Sequence, residues 1–319
     1  MKAFKRKKIA LIGAGQIGGN LALMAVQKKL GDVVLFDVVE GLPQGKALDI
    51  HQATPIDGLS NSIIGTNDYK DIAEADLVII TAGKPRKPGM SRDDLLKDNA
   101  TIMSSVAENV ARYAPESNVL IISNPLDAMV FLFSKITGFP TNKVVGMSGV
   151  LDASRFRTFI AMETGVSVND IRAFVLGGHG DHMVPLPRFS YVGGIPLPEF
   201  PGMTKEKIEA MVERTRNGGG EIVALLKTGS AFYAPAAGAI SMAEAILLDQ
   251  KRVFSAASYC KGEYGYNDIF ISLPVILGGN GVEKILEINL TAEEKAALDH
   301  SAVDVENLKN DLKRMNFIK

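Results

Sequence analysis

Apolar and polar positions follow two rhythms in the first half of the chain. Short runs rich in Val and Ile at 8–12, 33–37, 62–65, 77–81, 119–123 and 144–147 predict strands. A strand covered on both faces has no need of alternating polar residues. Between several of these runs the apolar spacing lengthens to a helical period, most clearly over 16–29 and 91–113. Alternation of this kind predicts an α/β architecture with a doubly wound, mainly parallel sheet.

After about Gly149 the rhythm changes. Residues 151–165 read as a helix, 171–192 as strands around a glycine-rich turn, and 205–227 and 234–248 as two further helices. Strand-like runs at 253–260, 269–277 and 284–288 then follow one another. A last helix is expected from an N-cap at Thr291, with Glu294 in the capping-box position. Strands grouped apart from helices predict a second, α+β domain. The expected division is 1–147 and 148–319, with a cleft between closely packed halves.

Composition narrows the classes of function. The 319 residues suffice for two domains, and 46% apolar with 22% charged residues is ordinary for a globular chain. Lys plus Arg number 35 against 36 for Asp plus Glu, so bulk charge gives no reason to expect nucleic acid. Any anion selectivity must come from placed side chains. The single cysteine, Cys260, cannot close a disulfide within the chain, which suits a reducing compartment. The basic start is followed by only four apolar residues before Gly13, too few for a signal-peptide core. No run approaches the roughly 20 apolar residues of a membrane span. The expectation is a cytoplasmic protein with no membrane partner.

Gly13-Ala14-Gly15-Gln16-Ile17-Gly18 closes the first predicted strand and opens the first predicted helix. In this setting the first glycine permits a tight turn, the second admits a pyrophosphate, and the third lets helix and strand approach. The helix start adds free N–H groups and a positive dipole end. The motif alone would also suit a simple packing turn. Asp37 ends the second strand at close to the spacing, about 20 residues past the last glycine, of the acid that binds the adenosine ribose. A carboxylate there repels a 2′-phosphate, so NAD is expected over NADP.

The chain has four histidines, and His179 lies between glycines in Gly178-His179-Gly180-Asp181. It is either a turn residue or a proton donor to a carbonyl being reduced, a task its pKa range suits. Asp152 and Arg155 lie three apart on a predicted helix. They form either a surface ion pair or a working pair, with Asp152 orienting His179 and Arg155 clamping a carboxylate. Residues 83–92 are basic and punctuated by Pro and Gly. They read as a solvated connection or as a lid closing on an anion. Asn124-Pro125 also follows a strand and is either a turn-forming pair or a means of placing the Asn124 amide at the same edge.

Together these residues resemble the lactate/malate dehydrogenase family over essentially the whole chain. The carriers are the glycine run with Asp37, Thr81-Ala82-Gly83, the loop from Arg86 to Arg92, Ser123-Asn124-Pro125, Leu151-Asp152-x-x-Arg155-Phe156, and Gly178-His179-Gly180-Asp181. The resemblance implies a Rossmann domain followed by a catalytic domain, in homodimers or homotetramers. It implies His179 as proton donor and acceptor, with Asp152 as its partner. Arg155, Arg92, Arg86 and Asn124 become substrate-binding residues. Gly13, Gly15, Gln16, Ile17, Gly18, Asp37, Thr81, Ala82, Gly83, Asn99 and Asn124 become the NAD-binding set.

Within that family Arg86 points to the malate branch, because lactate dehydrogenases typically carry Gln there. A second guanidinium suits a second carboxylate, so the implied substrate is a small dicarboxylate, oxaloacetate or (S)-malate. Facing the methyl group of pyruvate, it would stay unpaired at a cost of ~2–5 kcal/mol. The alternatives are a lactate dehydrogenase acting on pyruvate and a non-catalytic NAD-binding protein. An NAD-dependent glycoside hydrolase would need a metal-holding Cys–His pair, for which the chain has no suitable candidate. His182 departs from the family, which usually has a small hydroxyl residue there. His179, Asp181 and His182 lack a recognised ligand spacing, and no metal is expected.

Overall fold

The computed structural model describes residues 5–85, 91–227 and 229–318. Its first half runs β1 (Lys8–Ile12), α1 (Gln16–Gln27), β2 (Asp32–Phe36), α2 (Leu42–Ala53), β3 (Ile63–Thr66), β4 (Leu77–Ile80), α3 (Arg92–Tyr113), β5 (Asn118–Ile121), α4 (Leu126–Thr137) and β6 (Val144–Gly146). The second half begins with α5 (Gly149–Thr164). Five two-residue strands follow: β7 (Ile171–Arg172), β8 (Val175–Leu176), β9 (Val184–Pro185), β10 (Tyr191–Val192) and β11 (Ile195–Pro196). Then come α6 (Lys205–Leu226), α7 (Tyr233–Leu247), β12 (Arg252–Lys261), β13 (Asn267–Gly278), β14 (Gly281–Ile285) and α8 (Ala292–Arg314).

The six strands of the first half pair in parallel in the order β6-β5-β4-β1-β2-β3. Alternate side chains of each strand feed opposite cores. Ile9, Leu11, Val33, Leu35, Leu77 and Ile79 pack in a cluster with residues of α1 and α7. Ala10, Ile12, Val34, Phe36, Val78 and Ile80 pack with residues of α3 and α4. Burial on both faces explains the unbroken apolar runs. Two helices left little trace in the pattern. α2 buries only Pro43 and Ala47, so its apolar stripe is thin. α4 buries every residue from Leu126 to Ser134, so it shows no polar face.

The late strands do not form a separate sheet. β12 pairs antiparallel with β6 through Ala257 and Gly146, and β13 and β14 extend the same nine-stranded sheet. The α7 helix likewise lends Ala239, Ile240 and Ala243 to the core beside α1. The last strand starts at Gly281, three positions before the expected run, because a tight turn returns the chain to pair Gly278 with Gly281. The final helix has its capping box, with Thr291 and Glu294 satisfying each other's backbone N–H groups.

This topology collects the predicted site at one edge. The loops after β1, β2, β4, β5 and β6 all leave the carboxyl ends of parallel strands, where open α/β sheets form their ligand crevice. The β8–β9 hairpin reaches the same region and is tied to the sheet by the Gly177 N–H, which donates to the Ser272 carbonyl at 2.9 Å.

Candidate active site

The glycine run forms a cradle whose shape excludes side chains. Gly13 has φ of +110°, and a Cβ there would lie 2.6 Å from Thr81 Oγ1. A Cβ on Gly18 would stand 1.8 Å from the Gly13 carbonyl oxygen. In front of Gly15, by contrast, a Cβ would meet nothing within 4 Å. Gly15 is the N-cap of α1 and offers no side-chain cap, so the first-turn N–H groups face an open approach. Gln16 is exposed and Ile17 half-buried on that turn. The Asp37 carboxylate accepts the N–H groups of Ala14 at 2.7 Å and Val39 at 3.0 Å, which fixes it beside the glycine run. An open space over helix N–H groups with an adjacent carboxylate fits the pyrophosphate and ribose of NAD.

Neighbouring strand ends brace the cradle. Thr81 Oγ1 donates to the Gly13 carbonyl at 3.1 Å, and Ser123 Oγ donates to the Ala82 carbonyl at 2.6 Å. Asn99 is 2% exposed. Its amide accepts the Lys84 N–H at 2.7 Å and donates to the carbonyls of Lys84 at 3.1 Å and Asn124 at 2.7 Å. It therefore ties the Gly83 loop to the Asn124 loop. Ala82 is half-buried, and Gly83 and Asn124 are exposed on those loops.

The structure brings the catalytic candidates into direct contact. Asp152 sits in the first turn of α5 and is 1% exposed. Its Oδ2 lies 2.9 Å from His179 Nδ1, and its Oδ1 accepts Arg155 Nη1 at 2.9 Å. A carboxylate on Nδ1 favours a proton there and leaves Nε2 for a ligand. The His179 loop is held from behind, with the Gly178 N–H donating to Ser301 Oγ at 2.8 Å and the His179 N–H to Asp127 Oδ2 at 2.9 Å. Burial works against a charged imidazole. The Asp152 carboxylate, by charge and hydrogen bond, and the Asp127 charge outweigh it and raise the His179 pKa.

Two contributors were not foreseen. Asp127 is 3% exposed, and burial pushes its pKa up to about 6. A lone acid opening the apolar helix α4 was the available signal. Gly218 and Gly219 of α6 form the wall beside Arg155. A Cβ on Gly218 would stand 3.1 Å from Arg155 Cδ, and one on Gly219 would stand 3.5 Å from Nη2. Three successive glycines within a helical pattern cost stability and mark close packing. The Arg155 Nε is buried without a hydrogen-bond partner among the described residues.

Arg92 is exposed at the first position of α3, after Ser91 and Asp94 form a capping box. A cation at a helix N-terminus opposes the helix dipole, which argues for a role other than stabilising α3. Arg86 lies outside the described residues. Cys260 is fully buried in β12, and burial pushes its thiol up to about 12, so it serves packing rather than chemistry. Among the described residues no helix is long and apolar enough to cross a membrane.

Comparisons with known proteins agree over nearly the whole chain. Residues 7–146 match the lactate/malate dehydrogenase NAD binding domain, and residues 149–316 the lactate/malate dehydrogenase alpha/beta C-terminal domain. A malate dehydrogenase of Geobacter sulfurreducens is 59% identical over 315 residues, covering 97% of this chain and 99% of that protein. One from Heliobacterium modesticaldum is 56% identical, covering 95% and 97%. A crystal structure of Cryptosporidium parvum malate dehydrogenase is 50% identical with a TM-score of 0.95, covering 97% of this chain and 99% of that one. The lactate dehydrogenase of the same organism, solved with lactic acid and nicotinamide adenine dinucleotide, is also 50% identical, with a TM-score of 0.94 and the same coverage.

Proposed function

The chain belongs to the lactate/malate dehydrogenase family, and from that premise we propose that it interconverts oxaloacetate and (S)-malate with NAD as redox cofactor. The carrying observation is the shared carboxylate of Asp152, which binds His179 with one oxygen and Arg155 with the other. That junction sets a proton donor beside a carboxylate clamp, the pair that a 2-oxo acid reduction requires.

Gly13, Gly15 and Gly18 with Asp37 would hold the dinucleotide, and Thr81, Ala82, Gly83 and Asn99 shape the rest of its bed. Bound NADH supplies the hydride that reduces the carbonyl carbon. The chain does the rest. Arg155 pairs with the carboxylate next to the carbonyl through two parallel hydrogen bonds. Asn124 binds substrate oxygen at the cofactor edge. Loop 84–93 closes, excludes water and brings Arg92 to polarise the carbonyl. His179 delivers its proton to the carbonyl oxygen and takes it back in the reverse reaction. Asp152 fixes the imidazole tautomer and stabilises the imidazolium.

Arg86 binds the second carboxylate and sets the substrate. The names of the curated relatives support this choice. The equal match to a lactate dehydrogenase structure favours pyruvate as the second reading, because similarity at that level does not separate the two. Arg86→Gln decides between them. Oxaloacetate kcat/KM should fall by roughly tens- to thousands-fold while pyruvate turnover rises. An unchanged substrate preference would remove Arg86 from the site. Two or four copies in the cytoplasm, divided near residue 147 into cofactor and catalytic domains, complete the proposal.

A further inference from the structure

We propose that His182, His300 and Asp304 form a binding site for a divalent transition-metal ion of the zinc type. The three side chains each present a ligand atom, and these atoms lie within 4.8 Å of one another. His300 and Asp304 are four positions apart on α8, so the helix itself sets them on one face. His182 comes from the loop between β8 and β9. Its ring centroid is 4.4 Å from that of His300, and its Nδ1 touches Asp304 Oδ2.

The donor set selects the class of ion. Two imidazole nitrogens and one carboxylate oxygen suit zinc, cobalt or nickel, whereas magnesium and calcium prefer all-oxygen sites. The His182 side chain is 52% exposed and that of Asp304 36% exposed, so an ion can reach them and keep water as a further ligand. A bound ion would replace the single His182–Asp304 contact with three bonds. The position carries a consequence. Residue 182 lies three places beyond His179, and α8 already holds the same loop through Ser301 and Gly178. An ion at this point would add a second tie between α8 and the catalytic loop.

The test is a calorimetric titration of zinc into the metal-free full-length protein carrying NADH, alongside His182→Ser, His300→Gln and Asp304→Asn. All three positions are at least partly exposed, so the variants should fold. One ion per wild-type chain is expected, with affinity reduced about tenfold or more in each variant. Zinc should raise the unfolding midpoint of the wild type and not of the variants. Cobalt should give a visible absorption band in the wild type that His182→Ser abolishes. Absence of saturable zinc binding would overturn the proposal. So would equal affinity in all four proteins, or a cobalt spectrum indifferent to His182.

Discussion

The cofactor cradle and the catalytic cluster occupy the same edge of one sheet and are built by opposite means. The cradle is a contiguous run in which backbone N–H groups and missing side chains make the site. Its distant acid, Asp37, is fixed by backbone N–H groups at Ala14 and Val39. The cluster is made of side chains from segments far apart. His179 meets Asp152 across 27 positions and Asp127 across 52, and Gly178 meets Ser301 across 123. A site made from backbone tolerates changes in surrounding side chains. A site made from convergent charges depends on every member.

That contrast predicts separable failures. The largest effect should come from His179→Asn, which removes the proposed proton donor while leaving the cradle intact. Oxaloacetate kcat should fall ~10²–10⁴-fold, and NADH affinity measured by fluorescence titration should stay within a factor of about two. A parallel loss of NADH affinity would show that the two regions are not independent. The converse change, Asp37→Ala, removes a charged acceptor from the cradle. It should weaken NADH binding roughly ten- to hundredfold and leave kcat near wild type at saturating cofactor. A kcat that collapses under saturation would erase the distinction.

The same contrast explains what the sequence made legible. The parallel strands were visible because burial on both faces leaves unbroken Val and Ile runs. The cradle was visible because its residues are neighbours in the chain. The contacts of the cluster were not. Spacing could set Asp152 and Arg155 on one helix face, but only tertiary packing brings His179 to Asp152. Asp127 escaped notice because a single acid in the first turn of an apolar helix looks like an ordinary dipole-compensating residue. The triple glycine of α6 carried a signal, but its neighbour, Arg155, lies more than sixty positions away. Where β14 starts was obscured because its exposed residues break the apolar pattern. Arg86, on which the proposed substrate choice turns, was read from resemblance and lies outside the described residues.

The smallest expected effect sharpens the comparison furthest, because it tests a group that touches His179 only through its backbone. Asp127→Asn keeps the size of the side chain and an oxygen able to accept the His179 N–H. What it removes is charge, one of the influences that raise the His179 pKa. The acidic form of His179 should therefore be lost at lower pH, and the matching limb of the kcat/KM profile should move down, with rate changes below about tenfold at neutral pH. Stability should respond in a defined direction. Burial raises the Asp127 pKa from 3.8 to about 6, so above that value the fold holds a charge that the unfolded chain solvates more easily. The cost is on the order of 3 kcal/mol at neutral pH and fades as pH falls from about 6 toward 4. Relative to wild type, Asp127→Asn should be most stable above pH 7 and lose that advantage toward pH 4. Parallel unfolding curves across this range, with an unmoved kinetic limb, would reduce Asp127 to a packing residue. A shifted limb would extend the electrostatic unit around His179 to a carboxylate 52 positions away in the chain.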